Sequence, residues 1–352
     1  MLLRIAVTGV FSLSFLPLKA YAQEHCRDIA DNSKRLECYD KANRRADVNS
    51  VAEQQVEVRL PPVPAQPELT EDDKPQVSGV VQTLWELDQP GKRGTFHLRT
   101  HQPSFILPYH YTSNINRQPY SPSRGDADYQ ENYKQQDTKF QVSVRSKLLE
   151  NIGLPGADLW FAYTQTSLWQ LWNSEDSAPF RSTDYQPELI YVVPTDDYFT
   201  DLVFGWNLSM LQFGLAHQSN GQSEPLSRSW NRIYAGLVFS RDNWGMTIKA
   251  NRRISEDDDD NDNPDLTRMI GSTEITLARL SSQRSNMVLT RRMNWHDFSK
   301  GSWQLDFTYP LNRNRLDGIQ LHLQLFSGYG ETLLDYNHRQ NSVGVGLLLF
   351  NF

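Results

Sequence analysis

The chain has 352 residues, 38% of them hydrophobic, and a formal net charge of −7. A mean hydropathy of −0.60 excludes a bundle of membrane-spanning helices. The acidic balance offers no basic face for nucleic acid, and the length suits one large domain with a smaller appendage.

The chain opens on "MLLRIAVTGVFSLSFLPLKAYA", with Arg4 ahead of an apolar stretch and small residues at Ala20 and Ala22. That order predicts a secretory signal peptide over 1–22, cleaved after Ala22, and a mature protein outside the cytoplasm. The chain's two cysteines, Cys26 and Cys38, fall in the next segment, 23–48, within "CRDIADNSKRLECYDKANRR". In an oxidising compartment a close pair is expected to form a disulfide rather than half of a metal site. It would staple a helical segment too short to hold itself, by about 3 kcal/mol on a chain-entropy argument. Residues 49–93 turn polar and proline-rich, with Pro61, Pro62, Pro64, Pro67 and Pro75, and are expected to form an extended linker.

From 94 to 352 the apolar period changes to two. "GIQLHLQLF" places Ile319, Leu321, Leu323 and Leu325 opposite Gln320, His322 and Gln324, and "SWQLDFTYP" repeats the pattern. About twelve such stretches predict an all-β, antiparallel protein. A soluble sandwich and a membrane barrel both alternate, so the connections have to decide. They alternate long and short, as in "SNINRQPYSPSRGDADYQENYKQQD" against "ENIGLPG", which is the rim asymmetry of an outer-membrane barrel. An even strand number, 9 Trp and 15 Tyr gathered near strand ends, and the closing strand "SVGVGLLLFNF" ending on Phe352 point the same way. The expected fold is a transmembrane β-barrel of about twelve strands with a short periplasmic extension in front. The acidic run "EDDDDNDNPD" lacks the glycine and final glutamate of a calcium-binding loop and is expected to be a solvated external loop.

One hairpin breaks the pattern. In "FGLAHQSNGQSEPLSRSWNRIYA", His217 and Ser219 continue the apolar row of Phe213 and Leu215, and Asn231 precedes the row of Ile233, Ala235 and Leu237. Polar residues on a lipid-facing row are costly and point to function. Antiparallel pairing can bring His217 beside Asn231. A serine next to a histidine can be activated as a nucleophile, with the asparagine oxygen holding the ring tautomer. A neutral amide stabilises an imidazolium less than a carboxylate, so a cation near the developing oxyanion is the expected compensation.

The segment "HQSNGQSEPLSRSWNR", together with "YTQTSLWQLWNSEDSAPFR", "DDNDNPDLTR" and "SGYGETLLDYN", resembles the outer membrane phospholipase A family over the barrel part of the chain. The resemblance implies Ser219 as nucleophile, His217 as general base, Asn231 as its orienting partner and the amide of Gly221 in the oxyanion hole. It further implies dependence on Ca²⁺ and activity as a homodimer on phospholipid and lysophospholipid substrates. Ser227 and Gln222 would contribute to the cation, joined by Ser177 of the partner subunit, and Gln165 would lie at the dimer seam. Gln222 stands where the family is expected to carry arginine, a change tolerable if the backbone carbonyl is the ligand. The competing expectation is a passive barrel, either a narrow pore or an adhesin, which would tolerate Ser219→Ala.

Overall fold

The computed structural model describes residues 26, 29–42, 79–87, 92–195, 199, 202–257, 261–280, 285–312 and 318–350. The expected signal peptide and most of the expected linker lie outside them. The chain divides into two units, Met1–Asp73 and Lys74–Phe352.

In the first unit, helix α1 (Asn32–Ala42) is preceded by Asp31. The Asp31 carboxylate accepts hydrogen bonds from the backbone N–H groups of Ser33 (2.9 Å) and Lys34 (3.2 Å). It thereby satisfies donors that the first helical turn leaves open. Cys38 on this helix is bonded to Cys26, with S–S 2.00 Å and Cα–Cα 5.6 Å.

The second unit begins with helix α2 (Val80–Trp85), inside the span expected to be linker. Its strands are β1 (Leu98–Thr100), β2 (Ser104–Thr112), β3 (Tyr120–Ser121), β4 (Gly125–Asp126), β5 (Gln136–Leu149), β6 (Asp158–Trp169), β7 (Phe180–Pro194) and β8 (Asn207–Ser219). They continue with β9 (Ser229–Arg241), β10 (Trp244–Arg253), β11 (Thr273–Arg279), β12 (Asn286–Asn294), β13 (Asp297–Pro310), β14 (Gln320–Gly328) and β15 (Gln340–Phe350). Helix α3 (Leu266–Ile270) lies between β10 and β11. Strands β2 and β5 to β15 pair with their neighbours in an antiparallel ring, and β2 closes it by pairing with both β5 and β15. The ring has twelve strands, as the sequence predicted. The short β1 extends the ladder on β5, and β3 and β4 form a separate hairpin.

The ring is built inside-out relative to a soluble protein. On β14, Gln320, His322 and Gln324 are buried, whereas Leu321 and Leu325 are exposed. Val142, Phe161, Leu189, Phe213, Leu215, Ile233 and Val345 are likewise exposed on neighbouring strands. An apolar outer wall with polar side chains inside is what lipid on one side and a filled lumen on the other require. No helix among the described residues is long and apolar enough to cross a membrane.

Inside, several charges are paired. Lys139 Nζ lies 2.8 Å from Glu331 Oε1, which is also 2.8 Å from His110 Nε2. Arg181 reaches Asp335 at 2.6 Å and Asp137 at 3.4 Å. Glu188 accepts from Gln186 at 2.7 Å and from the Tyr234 hydroxyl at 3.1 Å, and meets His101 at 3.3 Å. Pairing of this kind offsets the cost of burying the charges.

The chain occupies both mouths of the ring. At the rim where β2 begins and β15 ends, α2 sets Val81 among Trp160, Ala162, Ile190, Val192, Met210 and Val238, with Trp85 and Leu87 against the same cluster. The Arg145 guanidinium lies 3.8 Å from the Trp85 ring centroid and also donates to the Leu84 carbonyl. Glu86, which ends the helix, meets Arg99 at 2.9 Å and Lys147 at 3.0 Å. At the opposite rim, Leu266 of α3 packs with Trp230, Leu333 and Tyr336.

The connections follow the expected contrast only in part. The second rim carries the long spans 113–135, 170–179, 220–228, 254–272 and 329–339, but β12 and β13 are joined there by Trp295 and His296 alone. Asn294 pairs with Asp297, and the Asn294 side chain accepts the His296 N–H at 2.9 Å, closing that turn locally. On the first rim, 195–206 is longer than a tight turn and includes a short 3₁₀ stretch at Val203–Gly205.

Candidate active site

Strands β8 and β9 place His217 opposite Asn231 and Ser219 opposite Ser229. The same register puts Phe213, Leu215, Ile233 and Leu237 on the exposed outer wall, so His217, Ser219 and Asn231 share the outward face. His217 Nδ1 lies 2.8 Å from Asn231 Oδ1. A carbonyl oxygen can only accept, so Nδ1 carries the hydrogen and Nε2 of the neutral ring is left as an acceptor. Ser219 is two residues along the same strand. Among the described residues its hydroxyl makes no hydrogen bond to His217, a looseness common in catalytic pairs without substrate.

The loop 220–228 is templated from within by Asn220, which is buried. Its Oδ1 accepts the N–H groups of Arg228 (2.9 Å) and Gln222 (3.3 Å), and its Nδ2 donates to the Leu226 carbonyl at 2.7 Å. Gly221 sits at φ +63°, and a Cβ there would lie 3.1 Å from the Tyr185 ring. Among the described residues the Gly221 N–H donates to no protein acceptor, which leaves it available to a ligand.

Ser227 Oγ donates to Asp262 Oδ2 at 2.5 Å. Arg124 joins Asp262 (2.9 Å) to Glu224 (3.2 Å). The acidic run is therefore not wholly solvated, contrary to expectation, since Asp262 and Asn263 are buried. No three His, Cys, Asp or Glu side chains among the described residues converge to hold a metal. A cation at this loop would rest on the Ser227 hydroxyl and the Gln222 carbonyl, with the Asp262 carboxylate beside them. Such an all-oxygen set fits a hard ion such as Ca²⁺.

Ser177 lies in the span 170–179 at φ +59°, and within one chain no described hydrogen bond joins it to the β8–β9 loop. Gln165 points outward on β6, accepting from the Tyr163 hydroxyl at 3.1 Å, with Val142, Phe161 and Tyr185 exposed around it. It is an amide on an apolar wall.

Two features escaped the sequence reading. Asn231 Nδ2 donates to Glu256 Oε1 at 2.9 Å, and Glu256 is paired with Arg253 at 2.6 Å. In the sequence, Glu256 was hidden in the acidic run; its only signal was its spacing three residues after Arg253. The second is a groove of about 540 Å³ on the outer wall, lined by Leu189, Phe213, Leu215, Ile233, Ala235, Ala250 and Arg252 among others. Ala235 and Ala250 pair across β9 and β10, so two small side chains set its floor.

Comparison with known proteins gives the family. The family model described as phospholipase A1 matches residues 81–349. A putative phospholipase A1 of Neisseria meningitidis is 41% identical over 273 residues, 75% of this chain and 68% of that one. The phospholipase A1 of Escherichia coli is 35% identical over 281 residues, 79% of this chain and 89% of that one. Among solved structures, outer membrane phospholipase A from Escherichia coli matches with TM-score 0.63 and 34% identity, covering 73% of this chain and 100% of that one. The Salmonella typhi outer membrane phospholipase dimer with bound calcium matches with TM-score 0.64 and 34% identity, over 75% of this chain and 95% of that one. Matched along the whole barrel, this chain belongs to the phospholipase A1 family and is a phospholipase of the bacterial outer membrane.

Proposed function

We propose that the enzyme hydrolyses acyl ester bonds of phospholipids and lysophospholipids with Ser219 as nucleophile, His217 as general base and Asn231 as the residue orienting the ring. The observation that carries this reading is the 2.8 Å contact from His217 Nδ1 to Asn231 Oδ1 on the lipid-facing wall. Ser219 Oγ attacks the ester carbonyl carbon while His217 Nε2 takes its proton. The carbonyl electrons move onto oxygen, which the Gly221 N–H receives. The C–O bond then breaks, and His217 returns the proton to the departing alcohol. Water, deprotonated by the same imidazole, attacks the acyl-enzyme; the ester bond to Ser219 breaks, the imidazolium returns its proton to Ser219 Oγ, and the fatty acid is released. The acyl chain lies along the outer groove past Leu215 and Ile233, where lipid already presents it.

Ca²⁺, held by Ser227 and the Gln222 carbonyl, would supply positive charge beside the oxyanion. Ser177 of the partner subunit would complete that set, which would make activity depend on a homodimer with Gln165 at its seam. The related Salmonella typhi dimer with bound calcium supports this assembly. A passive pore is disfavoured because both mouths are filled by α2 and by the α3 cluster.

The test is fatty-acid release from mixed phospholipid micelles by the refolded protein, with calcium and then with excess chelator. Release that disappears with chelator and in Ser219→Ala is the expected result. No release from folded, dimeric protein would overturn the proposal.

A further inference from the structure

An asparagine beside a histidine leaves a chemical ambiguity. The two ends of a side-chain amide have the same shape, but one accepts and the other donates. With Oδ1 toward the ring, His217 holds its hydrogen on Nδ1 and offers Nε2 to Ser219. With the amide reversed, Nδ2 would donate to Nδ1, and the hydrogen would move to Nε2, where it blocks proton transfer from the serine. The His217–Asn231 pair by itself does not choose between these states.

Glu256 removes the ambiguity. Its Oε1 lies 2.9 Å from Asn231 Nδ2. An ionised carboxylate can only accept, so a reversed amide would set oxygen against oxygen. The other carboxylate oxygen lies 2.6 Å from Arg253 Nη2, and both side chains are 13% exposed. Arg253 is itself fixed, donating to the Asn263 carbonyl at 2.6 Å and to Asn261 Oδ1 at 2.8 Å. A connected row thus runs from Arg253 through Glu256 and Asn231 to His217.

We propose that Glu256 is a positioning residue of this phospholipase: it locks the Asn231 amide, and through it the His217 tautomer, and places a carboxylate charge one residue behind the ring. The inference rests on the Ser219–His217–Asn231 reading above. A triad that ends in a neutral amide gains from Glu256 the negative charge it lacks, transmitted through a polarised amide.

The test uses the refolded full-length chain with calcium and compares Glu256→Ala, Glu256→Gln, Asn231→Asp and the double variant Asn231→Asp/Glu256→Gln. Glu256→Ala is expected to lower kcat about tenfold or more with KM unchanged, the loss of a charge-assisted hydrogen bond. Glu256→Gln, whose amide oxygen can still accept, loses less. Asn231→Asp sets two carboxylates together and is strongly impaired. Adding Glu256→Gln to it is expected to restore about tenfold, because the glutamine amide donates to the new aspartate. A substitution that harms the parent but rescues Asn231→Asp shows that the two side chains act directly on each other, and it stands even if Glu256→Ala fails to fold. Equal effects of Glu256→Gln in both backgrounds, or full kcat in Glu256→Ala, would overturn the proposal. A second readout is independent of turnover. In ¹⁵N-histidine-labelled protein, the His217 signal, assigned by its loss in His217→Phe, should report Nδ1–H in the parent and a tautomer mixture in Glu256→Ala. A fixed tautomer in both sinks the role of Glu256, whereas an inactive parent with the expected tautomer shift sinks the phospholipase mechanism instead.

Discussion

Gly221 carries a constraint that no other residue meets as well. At φ +63° an L-residue is strained by about 1–2 kcal/mol, and its Cβ would press on Tyr185 at 3.1 Å. Gly221→Ala is therefore expected to turn the amide away from the oxyanion, lowering kcat about 100-fold while the barrel still folds. Steady-state kinetics beside a thermal melt would separate the two effects. At this scale the sequence was legible wherever a residue broke a pattern. His217, Ser219 and Asn231 interrupt apolar rows, and strand parity alone put them on the outer wall. Asn220 and Glu256 break no pattern. One is a polar residue in a polar loop and the other an acid among acids, and only the fold brings Glu256 to Asn231.

In the proposed mechanism the hairpin β8–β9 with β10 is the working element, and its groove is shaped by what is missing from the wall. Ala235 and Ala250 are small where neighbouring positions carry Phe213, Leu215 and Ile233. Ala235→Phe is expected to fill the groove and lower hydrolysis of long-chain substrates several-fold more than of short-chain ones, read from a chain-length series of KM values. The other element with a distinct role is α2. Six residues are too few to display a helical period, and the expected linker masked it; Val81 and Trp85, four apart, were the available signal. Trp85→Ala is expected to cost about 2–3 kcal/mol, below the range for a fully buried tryptophan because the ring is only partly buried. Burial alone would raise the Glu86 carboxyl, but hydrogen bonds from Arg99 and Lys147 and from the Arg93 N–H outweigh it and hold it below its ordinary value. A depressed carboxylate contributes its stability above the ordinary carboxylate range and loses it as pH falls through the lowered value. Acid titration of the melt should accordingly show a loss at low pH that Glu86→Gln reduces.

For the molecule as a whole, period-two alternation and the uneven links gave the closed ring, because lipid outside and charge inside write opposite residues on alternate positions. How the lumen is filled was less legible, since its partners lie far apart in the chain. Lys139 on β5 and Glu331 in the span before β15 are 192 residues apart, and Arg181 and Asp335 are 154 apart. Glu331→Ala leaves Lys139 buried without its carboxylate and is expected to destabilise the barrel by about 3–5 kcal/mol, measurable in denaturant unfolding from micelles. The same spacing bears on biogenesis. These contacts join the first third of the barrel to its last loop, so they are open only to a chain whose last loop has been made. A ring sealed one residue out of register would turn Lys139 or its neighbours toward lipid and strand Glu331. The interior charges are therefore satisfied in one closure of the ring and left without partners in its near neighbours.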